Sequence, residues 1–240
     1  MKAILLNSGI GKRMGSLTDS SPKALVPLSP TVTILDLQIN SLLNNNINEL
    51  IITTGPFTDQ LIQHLRENFP SIDIHFIHNP DYQTTNYIYS MHLIPNDLID
   101  DDIVLMHGDL VFPQELMSSI LSSSLENCVL VNKTVPQPEK DFKGRVENEH
   151  ITEIGVDIFD SNCFALMPLY KLSKVFFSRW KKEIALYISQ GIDQVYAENA
   201  FNDISHEIIL HPYYYTDRFC LEIDTPEDLL LAQSLFSGED

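Results

Sequence analysis

Basic side chains are scarce in this sequence. Its 240 residues contain 15 Lys and Arg against 33 Asp and Glu, which gives a formal net charge of −18 at pH 7. Because such a charge repels phosphate backbones, we expect no nucleic-acid partner. A small polyphosphate ligand would have to be met by a local cluster of positive charge or by metal ions. The positions of the few Lys and Arg residues are therefore informative.

Long apolar runs and closely spaced cysteines are also missing. No stretch approaches the roughly 20 apolar residues that a membrane-spanning helix needs, and the run from Ala3 to Leu6 is too short for a secretory signal. The cysteines Cys128, Cys163 and Cys220 lie far apart, unlike the pairs of zinc or redox sites. These features predict a soluble, cytoplasmic protein with reduced thiols and no membrane partner.

Strand-like and helix-like segments alternate along the first half of the sequence. Apolar runs predict strands at 2–6, 49–54, 72–77 and 103–106, and helical patterns occur at 34–43, 58–68, 87–93 and 113–121. Such alternation is typical of an α/β fold with a mostly parallel sheet and helices on both faces.

The second half of the sequence has a different spacing. Strands are predicted at 128–132, 144–147, 151–156, 163–167 and 208–211, and helices at 170–189, 197–204 and 225–235. The closely spaced strands indicate a mixed or antiparallel extension of the sheet. No linker, repeat or low-complexity segment interrupts the chain, so we predict a single domain over 1–240.

The loop after the first strand is rich in glycine and carries three basic side chains. It runs Leu6-Asn7-Ser8-Gly9-Ile10-Gly11-Lys12-Arg13-Met14, and Pro22-Lys23 follows. Backbone amides in such a loop can cradle phosphate oxygens, and the basic side chains can neutralise a triphosphate. Met14 stands where a dinucleotide-binding fingerprint has its third glycine, and no Gly-Lys-Ser/Thr follows as in a Walker loop. An ordinary turn with solvated charges is the alternative.

Two carboxylates are candidates for binding a metal ion. Asp109 follows an apolar strand and Gly108, at the strand end where α/β sheets bind ligands. Asp224 precedes Thr225 and Pro226 near the carboxyl end. Together the two carboxylates could hold Mg²⁺ against triphosphate oxygens. Each also has a structural explanation, because Asp109 could cap the next helix and Asp-Thr-Pro is a common helix start.

Several segments together resemble one enzyme family. Gly9-x-Gly11-x-Arg13-Met14 followed by Pro22-Lys23 resembles the signature of nucleotidylyltransferases with a GT-A-like fold, which activate sugar phosphates and phosphocholine. The segments that resemble bacterial CTP:phosphocholine cytidylyltransferases are Asn79-Pro80-x-Tyr82, Asn86-Tyr87-x-Tyr89-Ser90, Asp102 to Asp109, Tyr196-Ala-Glu198-Asn199 and Glu222 to Asp228. The chain departs from the family at Asn7-Ser8, where many relatives have alanines, and at His107, where an acid is common.

The resemblance implies transfer of CMP from CTP to a small phosphorylated or phosphonate acceptor, with Mg²⁺ as cofactor and release of pyrophosphate. The nucleotide-binding residues it implies are Leu6, Asn7, Ser8, Gly9, Gly11, Lys12, Arg13, Lys23, Asn86 and Gly108; Arg13 and Lys23 would be catalytic, and Asp109 and Asp224 would bind the metal. The predicted acceptor-binding residues are Tyr82, Tyr89, Ser90, Asp157, Glu198 and Tyr214, which would surround an ammonium group such as that of phosphocholine, phosphoethanolamine or 2-aminoethylphosphonate. Nucleotide binding is thereby assigned to 1–125, and acceptor binding and the second metal ligand to 126–240.

Two other functions stay open. A sugar 1-phosphate acceptor with CTP, UTP or dTTP would suit the larger branch of the same family, and the compact chain favours the smaller branch. The departures at Asn7-Ser8 and His107 would also suit an inactive nucleotide sensor or scaffold. A second basic cluster, Lys140, Lys143 and Arg145, either reaches the acceptor's phosphate or lies on an exposed hairpin.

Overall fold

The structure is a computed structural model that describes residues 1–236, so positions 237–240 of the predicted domain lie outside it. The strands are β1 (Lys2–Asn7), β2 (Pro27–Ser29), β3 (Val32–Thr33), β4 (Glu49–Thr54), β5 (Asp73–His78), β6 (Ile103–His107), β7 (Leu110–Val111), β8 (Cys128–Asn132), β9 (Lys143–Glu147), β10 (His150–Gly155), β11 (Cys163–Leu172), β12 (His211–Tyr214) and β13 (Leu221–Glu222). The helices are α1 (Ile34–Leu43), α2 (Thr58–Asn68), α3 (Tyr87–Leu93), α4 (Gln114–Ser122), α5 (Lys174–Ser189), α6 (Ala197–Ile204) and α7 (Pro226–Phe236). Short 3-10 turns occur at Lys12–Thr18, Lys23–Leu25 and Asn96–Leu98.

One nine-stranded mixed sheet runs through the molecule. Its main order is β10-β9-β11-β6-β1-β4-β5, and β8 and β12 extend it from β11. The strands β6, β1, β4 and β5 are parallel, whereas β11 is antiparallel to β6, β8 and β9. The predicted mixed sheet with an antiparallel extension is therefore confirmed.

Both faces of the sheet are covered by helices, and β1 shows why. Successive strand residues point to opposite faces, so Ala3 and Leu5 pack in the cluster that contains residues of α1, α2 and α4. Ile4 and Leu6 pack instead with residues of α3, α5 and α6. Full burial of each such aliphatic side chain contributes about 1.5–3 kcal/mol. The continuous apolar run of β1 is thus explained by burial on both sides.

The boundary between β11 and α5 differs from the sequence prediction. The segment 170–189 was expected to be helical throughout, but Tyr170 pairs with Leu105 of β6, and β11 continues to Leu172. The Ser173 side chain then accepts a hydrogen bond from the Phe176 amide and caps α5. A continuous apolar pattern does not show such a change from strand to helix.

The last strand of the main sheet also lies elsewhere than expected. It was predicted at 208–211, but β12 begins at His211 and pairs in parallel with β8. Pro212 lies within it, which an edge strand tolerates because the missing amide donor can face away from the ladder. None of the helices within residues 1–236 combines the length and apolar character needed to cross a bilayer.

Candidate active site

Three adjoining cavities form one cleft at the carboxyl ends of β1 and β6, and all three include Asp109. The loop cavity, of about 260 Å³, is lined by Leu6, Asn7, Gly9, Gly11, Lys12, Arg13, Pro22, Lys23, Ala24, Gly108, Asp109 and Asp224. The middle cavity, of about 160 Å³, includes Ser8, Tyr82, Asn86 and Tyr87. The aromatic cavity, of about 190 Å³, includes Tyr87, His107, Phe142, Tyr196 and Glu222. The cleft therefore contains all ten predicted nucleotide-binding residues.

The floor of the loop cavity depends on a close approach between β1 and the turn after β6. The Gly108 amide donates to the Leu6 carbonyl at 3.1 Å, and a Cβ on Gly108 would lie only 1.8 Å from Asn7 Oδ1. Only glycine fits this position without moving the Asn7 side chain. The buried Asn7 Nδ2 has no hydrogen-bond acceptor among residues 1–236.

The glycine-rich loop is shaped by a positive φ of 72° at Gly11, which precedes the 3-10 turn Lys12–Thr18. The Thr18 hydroxyl donates to the Gly11 carbonyl at 2.9 Å and fixes that turn. Arg13 is thereby held over the cleft, where its Nη2 lies 2.8 Å from Asp224 Oδ2. The sequence left open an ordinary turn with solvated charges, and such a turn would not place Arg13 against Asp224.

Lys23 joins the two predicted metal-binding carboxylates. Its Nζ donates to Asp109 Oδ2 at 2.6 Å and to Asp224 Oδ1 at 2.8 Å. Burial alone would lower the pKa of Lys23, but the two carboxylates outweigh it and raise that pKa. In the same way, burial would raise the pKa of Asp109, and the charges of Lys23 and His107 lower it. The Lys23 ammonium thus bridges the two carboxylates.

His107 adds a ring nitrogen to this centre. Its Nδ1 lies 3.1 Å from Glu222 Oε1, and β13 holds Glu222 there by pairing it with Leu110 of β7. Burial would lower the pKa of His107, but Glu222 outweighs it and raises that pKa to about 8. Ligand atoms of His107, Asp109 and Glu222 all lie within 4.8 Å of one another.

Four rings close around the aromatic cavity. The ring centroids of His107 and Tyr87 are 4.8 Å apart, those of Tyr87 and Tyr196 5.9 Å, those of Tyr196 and Phe142 5.0 Å, and those of Phe142 and His107 6.1 Å. Four acidic and two basic side chains line the same cavity: Asp109, Asp141, Glu222 and Asp224, and Arg13 and Lys140. Aromatic faces together with carboxylates attract a cationic group, and they favour a desolvated ammonium in particular.

Two of the predicted acceptor-binding residues lie behind the cleft wall. Both carboxylate oxygens of Glu198 accept hydrogen bonds from buried hydroxyls, Oε2 from Tyr87 and Oε1 from Tyr170 at 2.9 Å. Glu198 is only 1% exposed. Tyr87, which lines the cavity and donates to Glu198, lies between the two. Ser90 is fully buried, and its hydroxyl lies 2.7 Å from that of Ser8. Direct contact of either residue with an acceptor, as the sequence predicted, does not fit this burial.

The other predicted acceptor residues are distributed around the molecule. Tyr82 lines the middle cavity, as expected for a binding residue. Tyr89 instead stacks on His92, with centroids 6.2 Å apart. Tyr214 lies on β12, where Lys133 Nζ sits 3.4 Å from its ring centroid, and Asp157 is exposed. The structure therefore brings only Tyr82 of these four to the cleft.

The second basic cluster is divided. Lys140 lines the aromatic cavity, but the Lys143 ammonium donates to the carbonyls of Pro138, at 2.6 Å, and Asp141, at 3.1 Å. Arg145 pairs with acidic side chains of the hairpin, among them Glu153 at 2.9 Å. Lys140 alone of the three lines the cleft.

Sequence reasoning missed much of the aromatic cavity. Tyr87 and Tyr196 lie in segments that resemble the phosphocholine enzymes, so this resemblance could have identified them as candidates for the acceptor site. Glu222 also stands in a matching segment, but its pairing with His107 depends on the β13–β7 contact. No local pattern marks Phe142, which reaches the cavity from the end of a long connection before β9.

A family model confirms the class of protein. The model described as "MobA-like NTP transferase domain" matches residues 3–213. The chain belongs to the MobA-like NTP transferase family. The nucleotidyltransferase fold and family that the sequence motifs predicted are therefore confirmed.

The chain is similar to several nucleotidyltransferases, among them proteins named for CTP. CTP:phosphoglutamine cytidylyltransferase of Campylobacter jejuni is 25% identical over 243 residues, which cover 93% of each chain. Choline-phosphate cytidylyltransferase of Streptococcus pneumoniae is 31% identical over 104 residues, 43% of each chain. The solved inositol-1-phosphate CTP transferase of T. maritima superposes with a TM-score of 0.77 at 21% identity, over 97% of this chain and 94% of that one.

Proposed function

We propose that this protein transfers CMP from CTP to a small phosphorylated or phosphonate acceptor that carries an ammonium group. The single observation that carries the proposal is the group of three aromatic side chains, Tyr87, Phe142 and Tyr196, beside the Lys23, Asp109 and Asp224 centre. The loop cavity supplies positive charge for a triphosphate, and the aromatic cavity supplies ring faces and carboxylates for a cation. The two cavities adjoin at Asp109, so both substrates would meet there.

The proposed reaction needs no general base, because an acceptor phosphate is already ionised near neutral pH. An oxygen of that phosphate forms a bond to the α-phosphorus of CTP, and the bond from the α-phosphorus to the β-bridging oxygen breaks, releasing pyrophosphate. Catalysis then consists of positioning and charge neutralisation. We assign Arg13 to the outer phosphates and Lys23 to the α-phosphate, where negative charge develops in the transition state. Lys12 is exposed at the edge of the loop cavity and contributes general positive charge.

Asp109 and Asp224 are the residues that would hold Mg²⁺. The pair already accommodates a cation, the Lys23 ammonium, and the buried Asp109 Oδ1 has no hydrogen-bond partner among residues 1–236. Paired carboxylate oxygens suit this hard cation. When bound, Mg²⁺ would neutralise phosphate charge and orient the triphosphate. Lys23 would then be free to turn from the carboxylates to the α-phosphate.

Two observations support cytidine as the base and an amine as the acceptor group. The relatives from Campylobacter jejuni and Streptococcus pneumoniae are named for CTP and for phosphoglutamine or choline phosphate. In this chain, the rings of Tyr87 and Tyr196 and the carboxylate of Glu222 line the aromatic cavity, which suits an amine. We propose that Tyr87 and Tyr196 contact the acceptor. They take the place of Glu198, Tyr89 and Tyr214, which the sequence predicted.

Pyrophosphate release tests the proposed function. Purified protein with Mg²⁺ is supplied with CTP, UTP or dTTP and with phosphocholine, phosphoethanolamine, 2-aminoethylphosphonate or glucose 1-phosphate. We expect release with CTP and the amine-bearing acceptors, and release slower by about 10²–10³ in the Lys23→Ala variant. Preference for glucose 1-phosphate would support a sugar nucleotidyltransferase instead, and CTP binding without turnover on any acceptor would support a sensor. The cytoplasmic location stays a prediction from the sequence.

A further inference from the structure

A separate cavity of about 540 Å³ lies between the end of α3 and the middle of α5. Its lining combines an apolar wall, formed by Leu93, Ile94, Pro95, Ile99 and Ala185, with His92, Asn96, Ser178, Lys181 and Lys182. None of these lining residues is acidic, although acids outnumber bases more than two to one in the sequence. We call this space the α3–α5 cavity.

Lys181 is an unusual group to find in its wall. The residue is 6% exposed, and its ammonium donates to the Ile94 carbonyl, where α3 ends. Among the described residues, the Lys181 ammonium makes no ion pair with a carboxylate; the nearby Glu183 pairs with Arg179 instead, at 2.9 Å. Burial lowers the pKa of Lys181 to about 8, and no acid offsets this effect. A buried ammonium without a counter-charge is costly, and an anion in the cavity would relieve that cost.

The other basic groups make the same cavity suitable for an anion. Lys182 is exposed and lines the cavity beside Lys181. Burial and the Lys181 charge lower the pKa of His92, so this residue of α3 offers a neutral ring that can donate a hydrogen bond rather than a positive charge. An ammonium has three donors, so Lys181 retains donors after its bond to Ile94. The volume falls within the range of small-molecule sites, and the apolar wall suits the body of an organic molecule.

The α3–α5 cavity lies at the opposite end of α3 from the active site. Tyr87, the first residue of α3, lines both the middle and the aromatic cavities, whereas Ile94 caps its other end. The helix has seven residues, about 10 Å of rise, and it packs against α5, which carries Lys181. A ligand that binds the Lys181 ammonium therefore acts on the carboxyl end of α3, and Tyr87 lies at the amino end of the same helix.

We propose that the α3–α5 cavity is a second binding site, for a small organic anion with a phosphate or carboxylate on an apolar body, and that α3 couples it to the aromatic cavity. The binding part is independent of the enzyme's activity. The coupling part rests on the function proposed above, because it concerns the acceptor.

Pyridoxal 5′-phosphate is a suitable probe, since its aldehyde reacts with unprotonated amines and its phosphate tests for an anion site. After borohydride reduction, the labelled lysines are mapped by peptide mass spectrometry. Lys174, exposed on the same helix, is the matched reference. We expect Lys181 to be labelled at least about tenfold faster than Lys174. Inorganic phosphate should slow the labelling of Lys181. Pyridoxal, which lacks the phosphate, should label Lys181 and Lys174 at similar rates.

The variant Lys182→Ala tests the site without touching the buried amine, and it should reduce both the labelling rate of Lys181 and the protection by phosphate. Equal labelling of Lys181 and Lys174, or equal rates with pyridoxal and its phosphate, would overturn the site.

The coupling is tested with wild-type protein labelled at Lys181 in the presence of CTP, which covers Lys23. This labelling should change KM for phosphocholine about fivefold or more and leave KM for CTP unchanged. An unchanged KM for phosphocholine would overturn the coupling. Labelling is measured by mass alone, so a protein without transferase activity would still give a clear answer for the binding site.

Discussion

The loop cavity and the aromatic cavity share Arg13, Asp109 and Asp224 but are assembled in different ways. The loop cavity is built largely from one continuous segment, 6–24, with Gly108, Asp109 and Asp224 added from two strand ends. The aromatic cavity draws on α3, β6, the connection before β9, the start of α6 and β13. A site built from one segment can be recognised from local motifs, whereas a site assembled from five elements becomes visible only in the fold. The same difference predicts that changes in the two cavities will have separable effects on CTP and acceptor.

The largest effect is expected in the loop cavity, from Lys23→Ala. Removing a donor from developing transition-state charge costs about 10²–10³ in turnover. Lys23 also has a structural role, because it is partly buried between two carboxylates. We therefore also expect a lower Tm without metal, because Asp109 and Asp224 then repel each other, and recovery of Tm on adding Mg²⁺. Turnover near the wild-type value would contradict the assigned role.

The metal ligands should give the next largest effect. Asp109→Asn and Asp224→Asn are each expected to abolish Mg²⁺-dependent turnover and to weaken CTP binding mainly when Mg²⁺ is present, since neutral amides are poor ligands for this ion. Calorimetric titration with CTP, with and without Mg²⁺, measures this. Asp157→Asn is the control, because Asp157 is exposed and away from the cleft. If wild-type affinity for CTP did not depend on Mg²⁺, the metal site would be wrongly placed.

A smaller and more selective effect is expected in the aromatic cavity. Tyr196→Leu removes one of the three uncharged rings, and the loss of a cation–π contact predicts a rise of about 2- to 30-fold in KM for phosphocholine, with KM for CTP unchanged. Tyr89→Leu is the matched control, because Tyr89 stacks on His92 outside the cleft. A parallel rise in KM for CTP would mean that the two cavities do not act separately.

The smallest effect on specificity is expected from Glu198→Gln. The sequence assigned Glu198 to the acceptor's ammonium, but its oxygens accept from Tyr87 and Tyr170 within the core. The variant should keep the ranking of charged and uncharged acceptors and lose about 1–3 kcal/mol of unfolding free energy, because a buried hydrogen-bond pair is disturbed. Denaturation and a comparison of kcat/KM among acceptors measure the two effects. A changed ranking at unaltered stability would restore the original assignment.

The contrast between the cavities also explains how far the sequence could be interpreted. The order of strands and helices was predictable because periodicity is local. The grouping of Gly11, Arg13 and Lys23 in one cavity was predictable because they follow one another in a short segment. The acceptor side was predicted only in part, because side-chain direction on α3 decides that Tyr87 lines the cleft while Tyr89 stacks on His92 outside it. The pairing of His107 with Glu222 could not be foreseen, because it joins residues 115 positions apart.

The central claim is that CMP is transferred to an acceptor chosen for its ammonium group. The most direct measurement compares kcat/KM for phosphocholine with that for 3,3-dimethylbutyl phosphate, which has the same shape but carbon in place of the charged nitrogen, using CTP and Mg²⁺ and detecting the CMP–acceptor product by mass. Our account predicts that phosphocholine is favoured about tenfold or more, and that Tyr196→Leu narrows this ratio. Equal values for the two acceptors in the wild-type protein would contradict it.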